Sequence, residues 1–471
     1  MLHSCFAIAV SRESSTPALK VRPFPPFRVA FVWAVWLAAL VLTQAGTALD
    51  PTFSLSQYAK RNWHVEHGLP QNYVTSIAQA ADGRLVVGTS GGVAWFDGIQ
   101  FSPVVLNERT GISREWVNAV EALPDGTLWI LTRDAGTFVN RKGESQAVPP
   151  PPPNFTSGIL RRDGSFVASG SGTWRAVTDR FQMLTPKGGG DLSWESILEL
   201  PDRRLLLCDA SGLIAIEGER SHLLWVTDSA KGRPLSLAAG RGGAIYLGTT
   251  EGLFRVKLSP TKLKPAVTLE RVPGVEGPVV SVLEDRDGQV WAATWGSGLF
   301  RVAAGSAAHW GLDDGLTDNF VHTLFEDREG SLWIGTRAGL SRWRSGPIVP
   351  FGPEEGLGAQ FLSTVIENPE GEILVGSWRS GVHRLRGGHM EALPLGFPVE
   401  TTLIRAMTFA PNGDLWFSDW HSLHHLSPNG HAVFREGSLR HLPSVHAILL
   451  DRKGALWLGG VDGLYVLSLI H

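Results

Sequence analysis

Five aromatic and arginine side chains in the second half of the sequence are suited to ligand recognition. They are Trp295, Arg337, Trp378, Arg379 and Trp420. Indole faces stack on flat rings, and guanidinium groups bind carboxylates through paired hydrogen bonds. All five fall in corresponding turns of a repeated segment. The spacing therefore predicts a ligand-binding surface shared by successive repeats, although packing between neighbouring loops would explain the same residues.

The repeat that carries these turns is clearest at residues 327–340, Asp-Arg-Glu-Gly-Ser-Leu-Trp-Ile-Gly-Thr-Arg-Ala-Gly-Leu. About ten copies follow one another at spacings of 38 to 45 residues, a period typical of propellers and solenoids. Glycine occupies the turn position in nine copies, and an arginine replaces it in a degenerate fourth copy. The turn positions are Gly83, Gly126, Gly164, Arg203, Gly243, Gly288, Gly330, Gly371, Gly413 and Gly454.

Each copy has the pattern of short antiparallel strands. Residues 321–325 alternate between apolar and polar, an Asp-x-x-Gly turn follows, and residues 332–334 and 339–343 supply two further strands. The variable stretch after them would hold a weaker fourth strand. A few short strands cannot bury both faces alone, so the units must stack. We predict an all-β fold, a β-propeller built from about ten repeats.

Two recurring residue types have structural explanations within this repeat. Five tryptophans stand three residues after the turn glycine, which predicts packing between blades, and acidic residues at the turn predict backbone capping rather than acid–base catalysis. The tryptophans are Trp129, Trp291, Trp333, Trp416 and Trp457, and the acidic residues are Asp285, Asp287, Asp327 and Glu329.

The remaining chemistry of the sequence is sparse. His421, His424 and His425 have a spacing that could suit a metal, but no carboxylate or cysteine recurs beside them in a ligand pattern. We therefore predict no metal site, no cofactor and no catalytic residue. The net charge of −3 and the lack of a basic stripe argue against a nucleic-acid partner.

The N-terminal 48 residues have the pattern of a signal peptide. Lys20, Arg22 and Arg28 precede an apolar stretch at 29–42, and small residues follow up to Ala48. We predict cleavage after Ala48 and a periplasmic protein, with an uncleaved inner-membrane anchor as the alternative. Cys5 lies in this leader, so Cys208 would have no intramolecular disulfide partner after cleavage.

The start of the first repeat carries a more specific signal. Residues 63–74, Trp-His-Val-Glu-His-Gly-Leu-Pro-Gln-Asn-Tyr-Val, are followed by Asp-Gly at 82–83 and Gly-Thr at 88–89, and the Gly-Leu lead-in recurs at 315–316 and 356–357. This combination resembles the two-component regulator propeller family. The resemblance implies a periplasmic sensor propeller whose signal is reported by a histidine kinase or diguanylate cyclase output domain. It also implies a small-molecule or oligosaccharide signal and raises a receptor-like homodimer as a candidate assembly.

Blade counting in that family suggests a domain division. Its sensor regions form one or two seven-bladed rings, and ten repeats are too many for one ring and too few for two. We predict a first propeller at 49–345, holding repeats 1–7, and an incomplete second ring at 346–471, holding repeats 8–10. A single enlarged ring is the alternative.

The sequence therefore predicts an extracytoplasmic ligand-sensing propeller without its membrane and output domains. Contact with a membrane would come only through a C-terminal segment that this sequence lacks or through an uncleaved leader. Two other classes stay open from the residues alone. One is a propeller enzyme of glycosidase or lyase type, and the other is a structural or adhesion propeller.

Overall fold

Every repeat forms a small antiparallel sheet, as the alternation of apolar residues predicts. The computed structural model describes residues 49–50, 53–106, 115–134, 136–141, 143–148, 157–169, 172–177, 180–186, 196–217, 220–258, 267–303, 305–357, 361–395, 403–435 and 444–468. The predicted signal peptide, residues 1–48, lies outside these ranges. Within them are ten sheets, numbered here in chain order, of which nine have four strands and the tenth has three.

The strands of sheets 1 to 5 are given from the inner to the outer edge. Sheet 1 holds β2 (Val74–Gln79), β3 (Leu85–Thr89), β4 (Gly92–Phe96) and β5 (Phe101–Pro103); sheet 2 holds β6 (Val117–Ala122), β7 (Leu128–Thr132), β8 (Thr137–Arg141) and β9 (Glu144–Ala147); sheet 3 holds β10 (Ser157–Leu160), β11 (Phe166–Ser169), β12 (Gly172–Val177) and β13 (Arg180–Pro186); sheet 4 holds β14 (Ser196–Glu199), β15 (Leu205–Asp209), β16 (Gly212–Glu217) and β17 (Arg220–Val226); sheet 5 holds β18 (Pro234–Ala239), β19 (Ile245–Thr249), β20 (Gly252–Leu258) and β21 (Val267–Arg271).

Sheets 6 to 10 follow the same order. Sheet 6 holds β22 (Val279–Glu284), β23 (Val290–Thr294), β24 (Leu299–Ala303) and β25 (Ser306–Trp310); sheet 7 holds β26 (Val321–Glu326), β27 (Leu332–Thr336), β28 (Leu340–Arg344) and β1 (Ala59–Trp63); sheet 8 holds β29 (Leu362–Glu367), β30 (Ile373–Ser377), β31 (Val382–Arg386) and β32 (His389–Ala392); sheet 9 holds β33 (Ala406–Phe409), β34 (Leu415–Ser418), β35 (Ser422–Ser427) and β36 (Gly430–Arg435); sheet 10 holds β37 (Val445–Leu450), β38 (Ala455–Gly460) and β39 (Leu464–Ser468).

The turn between the first two strands explains the repeat's most regular residues. Gly330 takes a φ of 82°, and the Asp327 carboxylate accepts a hydrogen bond from the Ser331 amide at 2.7 Å. At the degenerate fourth copy Arg203 takes the same left-handed conformation, with a φ of 70°, so the turn is kept at the cost of backbone strain. The predicted all-β propeller fold is confirmed.

Contacts between inner strands join sheets 1 to 7 into a closed circuit. Each inner strand contacts the next, from β2 to β6 and onward to β22 and β26, and β26 contacts β2 again. Hydrogen bonds between strands also close the circuit, because the N-terminal strand β1 pairs antiparallel with β28 of sheet 7. In sheets 8 to 10 the described contacts run from β29 to β33 to β37. The division at residue 345 stays a prediction.

The tryptophans predicted to pack between blades do so where a following sheet is present. Trp333 of sheet 7 is buried and packs edge to face on Phe96 of sheet 1 at a ring separation of 5.7 Å. Its indole nitrogen donates to Asp327 at 2.7 Å, and Trp291 donates to Asp285 in the same way at 2.8 Å. The turn aspartate thus holds the strand reversal and the packing tryptophan together.

The Gly-Leu lead-ins form short 3-10 turns. Gly68, Gly315 and Gly356 end these turns in the left-handed conformation, and the leucine after each glycine is buried. The 3-10 segments of the described residues are Leu55–Gln57, Val65–His67, Arg241–Gly243, Leu312–Asp314 and Pro353–Glu355. None of the helical segments in the described ranges has the length and apolar character of a membrane span.

Candidate functional site

In sheets 1, 2, 5, 6, 7 and 8 one hydrogen bond brings two residues of the repeat together at the same end of the sheet. The residue after the Thr-like position donates its amide to the carbonyl of the residue just before the inner strand. Arg337 bonds Phe320 at 3.0 Å in this way, and Trp378 bonds Phe361 at 2.9 Å. The same bond joins Trp295 to Pro278, Arg133 to Trp116, Ser90 to Tyr73 and Thr250 to Arg233. The turn residue and the residue before the inner strand therefore lie beside each other at this end of the sheet.

Two of the predicted ligand contacts, Trp295 and Arg337, meet around Phe320. The Trp295 ring lies 5.3 Å from the Phe320 ring in an edge-to-face arrangement, and the Arg337 guanidinium lies 4.0 Å from the same ring. The indole of Trp295 is 40% exposed, which leaves a face for an incoming molecule. Arg337 is also exposed and forms an ion pair with Asp318 at 3.1 Å.

Tyr73 extends this group across the inner edge of the circuit. Its ring lies 6.3 Å from Trp295 of sheet 6, 5.5 Å from His322 of sheet 7 and 5.0 Å from Trp116 of sheet 2. Because sheet 7 separates sheets 6 and 1, a Tyr73–Trp295 contact is only possible near the axis. We call the resulting group the aromatic–arginine cluster: Tyr73, Trp116, Arg133, Trp295, Phe320, His322 and Arg337.

Arg133 gives the cluster its second guanidinium group. It stacks on Trp116 with its central carbon 3.8 Å from the ring centroid. The side chain is exposed, and no ion pair of Arg133 is found within the described ranges. A guanidinium stacked on an indole keeps its in-plane N–H donors free for a carboxylate or phosphate.

The electrostatics of the cluster follow from partial burial beside two cations. Burial raises the pKa of the Tyr73 hydroxyl, and the positive charges of Arg133 and Arg337 oppose that rise. Burial also lowers the pKa of His322, which keeps its imidazole neutral at pH 7. The cluster therefore combines stacking faces with a net positive charge and can bind a planar or sugar-like molecule that carries an acidic group.

The other predicted contacts lie in later sheets, each with its own neighbours. Trp378 of sheet 8 is 42% exposed and lies 5.7 Å from Phe361, and Trp420 of sheet 9 is stacked by Arg405 at 3.7 Å. Arg379 follows Trp378 with a positive φ of 98°. The described contacts do not bring these three residues together with Trp295 and Arg337, and their role in binding stays a prediction.

Sequence reasoning missed five members of the cluster, namely Tyr73, Trp116, Arg133, Phe320 and His322. Arg133 occupies the same position after Thr132 that Arg337 occupies after Thr336, so a strict alignment of the repeats would have found it. The three aromatic residues precede the inner strands, and only the amide bond described above shows that they lie beside the turn.

The histidine motif on β35 is divided between two faces of its strand. His424 contacts Asp419 at 3.0 Å and His431 at 3.0 Å, whereas His425 contacts Asp414 at 2.8 Å. The alternation of a strand sends neighbouring side chains to opposite faces. Within the described ranges no group of three or more His, Cys, Asp or Glu residues is arranged to hold a metal ion.

A large cavity lies away from the cluster, among the turns of sheets 4 to 6. Its volume is about 1180 Å³, and Arg204, Tyr246, Arg255 and Glu284 contribute to its lining. Tyr246 donates to Glu284 at 2.9 Å and accepts from Arg255 at 3.2 Å. Tyr246, Glu284 and Arg255 thus hydrogen-bond to one another in the lining of this cavity.

The fold and this cluster define a β-propeller that carries candidate recognition residues on loops at one end of its sheets. Three segments, residues 68–91, 274–296 and 315–338, match the family model for the two component regulator propeller. These matches confirm the resemblance of the chain to that family over the three segments. No curated protein sequence matches it.

Solved structures agree with this fold assignment. The extracellular domain of the hybrid two component system BT3049 from B. thetaiotaomicron is similar with a TM-score of 0.69 and 19% identity, over 88% of this chain and 59% of that domain. The extracellular domain of BT4673 from the same organism gives 0.51 and 17%, over 88% and 58%. A streptogramin B lyase gives 0.50 and 13%, over 62% of this chain and 99% of the lyase. At these identities the likeness concerns the fold alone.

Proposed function

We propose that this chain is the ligand-sensing propeller of a bacterial signal-transduction receptor and acts outside the cytoplasm. Its family and its likeness to two extracellular domains of two component systems support this role. The chain spans less than two thirds of the length of those domains. Signalling through a kinase or cyclase output domain is part of the proposal. The extracytoplasmic location also agrees with the leader pattern at 1–48.

The aromatic–arginine cluster is the observation that carries the proposal. Arg133 from sheet 2 and Arg337 from sheet 7 flank Tyr73, and the half-exposed indole of Trp295 lies beside them. Loops on a rigid β-scaffold commonly hold binding residues. The ligand class that fits is a small molecule or oligosaccharide with a flat or sugar ring and a carboxylate or similar acidic group.

A thermal-shift screen with uronic acids, neutral oligosaccharides, organic acids and short peptides, followed by calorimetry on any stabilising compound, tests this proposal. Arg133→Ala and Trp295→Ala should each weaken binding by about 2 kcal/mol, since anchor residues of this kind carry most of the affinity. Arg84→Ala is the matched control, because Arg84 stacks on Trp95 at 4.4 Å in the same way but lies outside the cluster. Equal affinity in all three variants would exclude the cluster as the site.

Variants of Trp378, Arg379 and Trp420 tested in the same assay would show whether the later sheets contribute to ligand binding.

Export is tested separately by N-terminal sequencing of periplasmic protein, where we expect a start near Leu49. Leu49 is buried and its carbonyl accepts a hydrogen bond from Gln289 at 2.7 Å, so residue 49 is part of the described fold. A periplasmic protein that keeps residues before position 29 would contradict cleavage.

A further inference from the structure

A short segment of the chain lies in a groove between sheets 6 and 7. Leu49 and Tyr58 are buried in the core that these two sheets share, and Phe53 packs against it. Arg301 of β24 holds the segment, because its guanidinium donates to the Phe53 carbonyl at 3.1 Å and to the Tyr58 hydroxyl at 3.0 Å. A groove between neighbouring sheets of this protein can therefore hold a peptide segment through an arginine on the third strand.

Sheet 5 carries the equivalent arginine beside its own groove. Arg255 of β20 pairs with Tyr246 of β19 in the same register in which Arg301 pairs with Trp291. The two guanidinium groups also have similar positions over their aromatic partners, 5.6 Å from the Tyr246 ring and 5.9 Å from the Trp291 ring. The Arg255 side chain is exposed. The groove between sheets 5 and 6 therefore has the same polar anchor as the groove that holds the segment.

Smaller side chains make this second groove wide. Val302 of sheet 6 stands where sheet 7 has Trp343, and Ala244 of sheet 5 stands where sheet 6 has Gln289. Trp343 is fully buried, whereas Val302 is only half-buried. The cavity of about 1180 Å³ described above occupies this groove and continues to the turn of sheet 4. Small-molecule pockets measure about 300–1,000 Å³, so the volume suits a segment of several residues better.

The charge of this cavity selects the kind of segment that fits. Its lining has five cationic side chains and three acidic ones, which leaves two positive charges in excess. The cationic residues are Arg204, Arg241, Arg255, Lys257 and Arg271, and the acidic residues are Asp202, Glu270 and Glu284. Two of the acidic residues already form ion pairs, Asp202 with Arg204 and Glu270 with Lys257. Acidic side chains of a bound segment would complement the remaining arginines.

We propose that the groove between sheets 5 and 6 binds an acidic peptide segment of a partner protein. Arg255 would donate to a backbone carbonyl of that segment, as Arg301 does to Phe53. Arg241 and Arg271 would bind its carboxylates, and an apolar side chain of the segment would cover Val302. The groove lies at the turns between first and second strands, at the end of the sheets opposite the aromatic–arginine cluster. A peptide bound there would leave the cluster accessible to a small ligand.

Selection of random ten-residue peptides displayed on phage against the folded chain tests the proposal. Peptides that also bind the Val302→Trp chain are removed, because a tryptophan at this position would fill the groove as Trp343 does between sheets 6 and 7. We expect the remaining peptides to be rich in aspartate and glutamate. Their binding is then measured by fluorescence anisotropy with the strongest of them as a labelled synthetic peptide.

Charge variants locate the bound peptide. Arg255→Ala and Arg241→Glu should each raise its dissociation constant at least about tenfold, since each removes a cation that faces the peptide. Arg220→Ala and Arg220→Glu are the matched controls, because Arg220 is an exposed arginine on β17 outside the lining of the cavity, and they should leave the constant unchanged.

Folding of every variant is checked by circular dichroism and thermal melting. Arg241 is exposed, so Arg241→Glu keeps the test valid if Val302→Trp fails to fold, in which case all selected peptides are measured directly. Three results would overturn the proposal: no peptide is enriched, the enriched peptides bind the Arg241→Glu and Arg220→Glu chains equally well, or the enriched peptides are not acidic. Tighter binding of polygalacturonate at the same arginines would also overturn it and would assign the groove to an acidic polysaccharide instead.

Discussion

At the scale of single residues, the turn aspartate combines two roles that the sequence shows separately. The Asp-x-x-Gly spacing predicts capping of the turn, and the tryptophan three residues after the glycine predicts packing between blades. The structure joins them, because one carboxylate oxygen of Asp327 accepts from the backbone and the other from the Trp333 indole. Asp451 and Trp457 form the same bond at 2.9 Å in sheet 10. The sequence does not predict this side-chain hydrogen bond, because strand spacing alone does not give the direction of an indole.

Trp333 and Trp457 provide a matched pair for testing burial. Trp333→Ala removes a buried ring that stacks on Trp63, and we expect a loss of about 3–5 kcal/mol in the free energy of unfolding. Trp457→Ala removes the equivalent ring at an open face, where it is only partly buried, and should cost clearly less in dilute solution. Urea denaturation followed by circular dichroism measures both. Equal losses would contradict the packing role assigned to the closed circuit.

Glu121 predicts a pH dependence of stability. Glu121 stands on the inner strand of sheet 2 at a position where most other sheets have an apolar residue. Burial raises the pKa of its carboxyl group from 4.5 to about 7. The folded state therefore binds this proton more tightly than the unfolded chain, so stability should fall as the pH rises from about 5 to 8. Glu121→Gln should remove that part of the fall. Glu144→Gln, an exposed change in the same sheet, should retain it, and urea midpoints at the two pH values distinguish the variants.

At the scale of elements, the repeat predicts the inner three strands of each sheet but not β1. Its residues, Ala-Lys-Arg-Asn-Trp, precede the first glycine turn and show no sign of their partner. Pairing with β28 joins positions 59 and 344, a contact that no local pattern encodes. The aromatic–arginine cluster can likewise be predicted from the sequence only in part. Trp295 and Arg337 are predictable from their turns, whereas Tyr73 depends on the closure that brings sheet 1 beside sheet 7.

Removing β1 should open the circuit. A chain that begins at His64 loses the ladder to β28 and the ring of Trp63, which packs against Trp333 and Phe96. We expect a lower melting temperature and association through the exposed edge of β28, because unpaired strand edges recruit other strands. A chain that begins at Leu49 is the control. Differential scanning calorimetry and light scattering that give the same results for both chains would show that β1 is dispensable for closure.

At the scale of the whole molecule, the two groups of sheets differ in how much of their surface is covered. In sheets 1 to 7 every inner strand has a neighbour on both sides, whereas sheets 8 and 10 each have one uncovered face within the described residues. Local opening is easiest where few apolar contacts must be broken. The closed circuit should therefore be the more stable unit, and sheets 8 to 10 should open first.

Hydrogen exchange tests this difference directly. In dilute solution we expect amides of β29 to β39 to exchange faster than those of β2 to β28, with the largest difference in the outer strands of sheet 10. The strands of sheet 9, covered on both sides in a single chain, are the internal control. Uniform protection across all ten sheets in dilute solution would show that an uncovered face does not weaken this propeller.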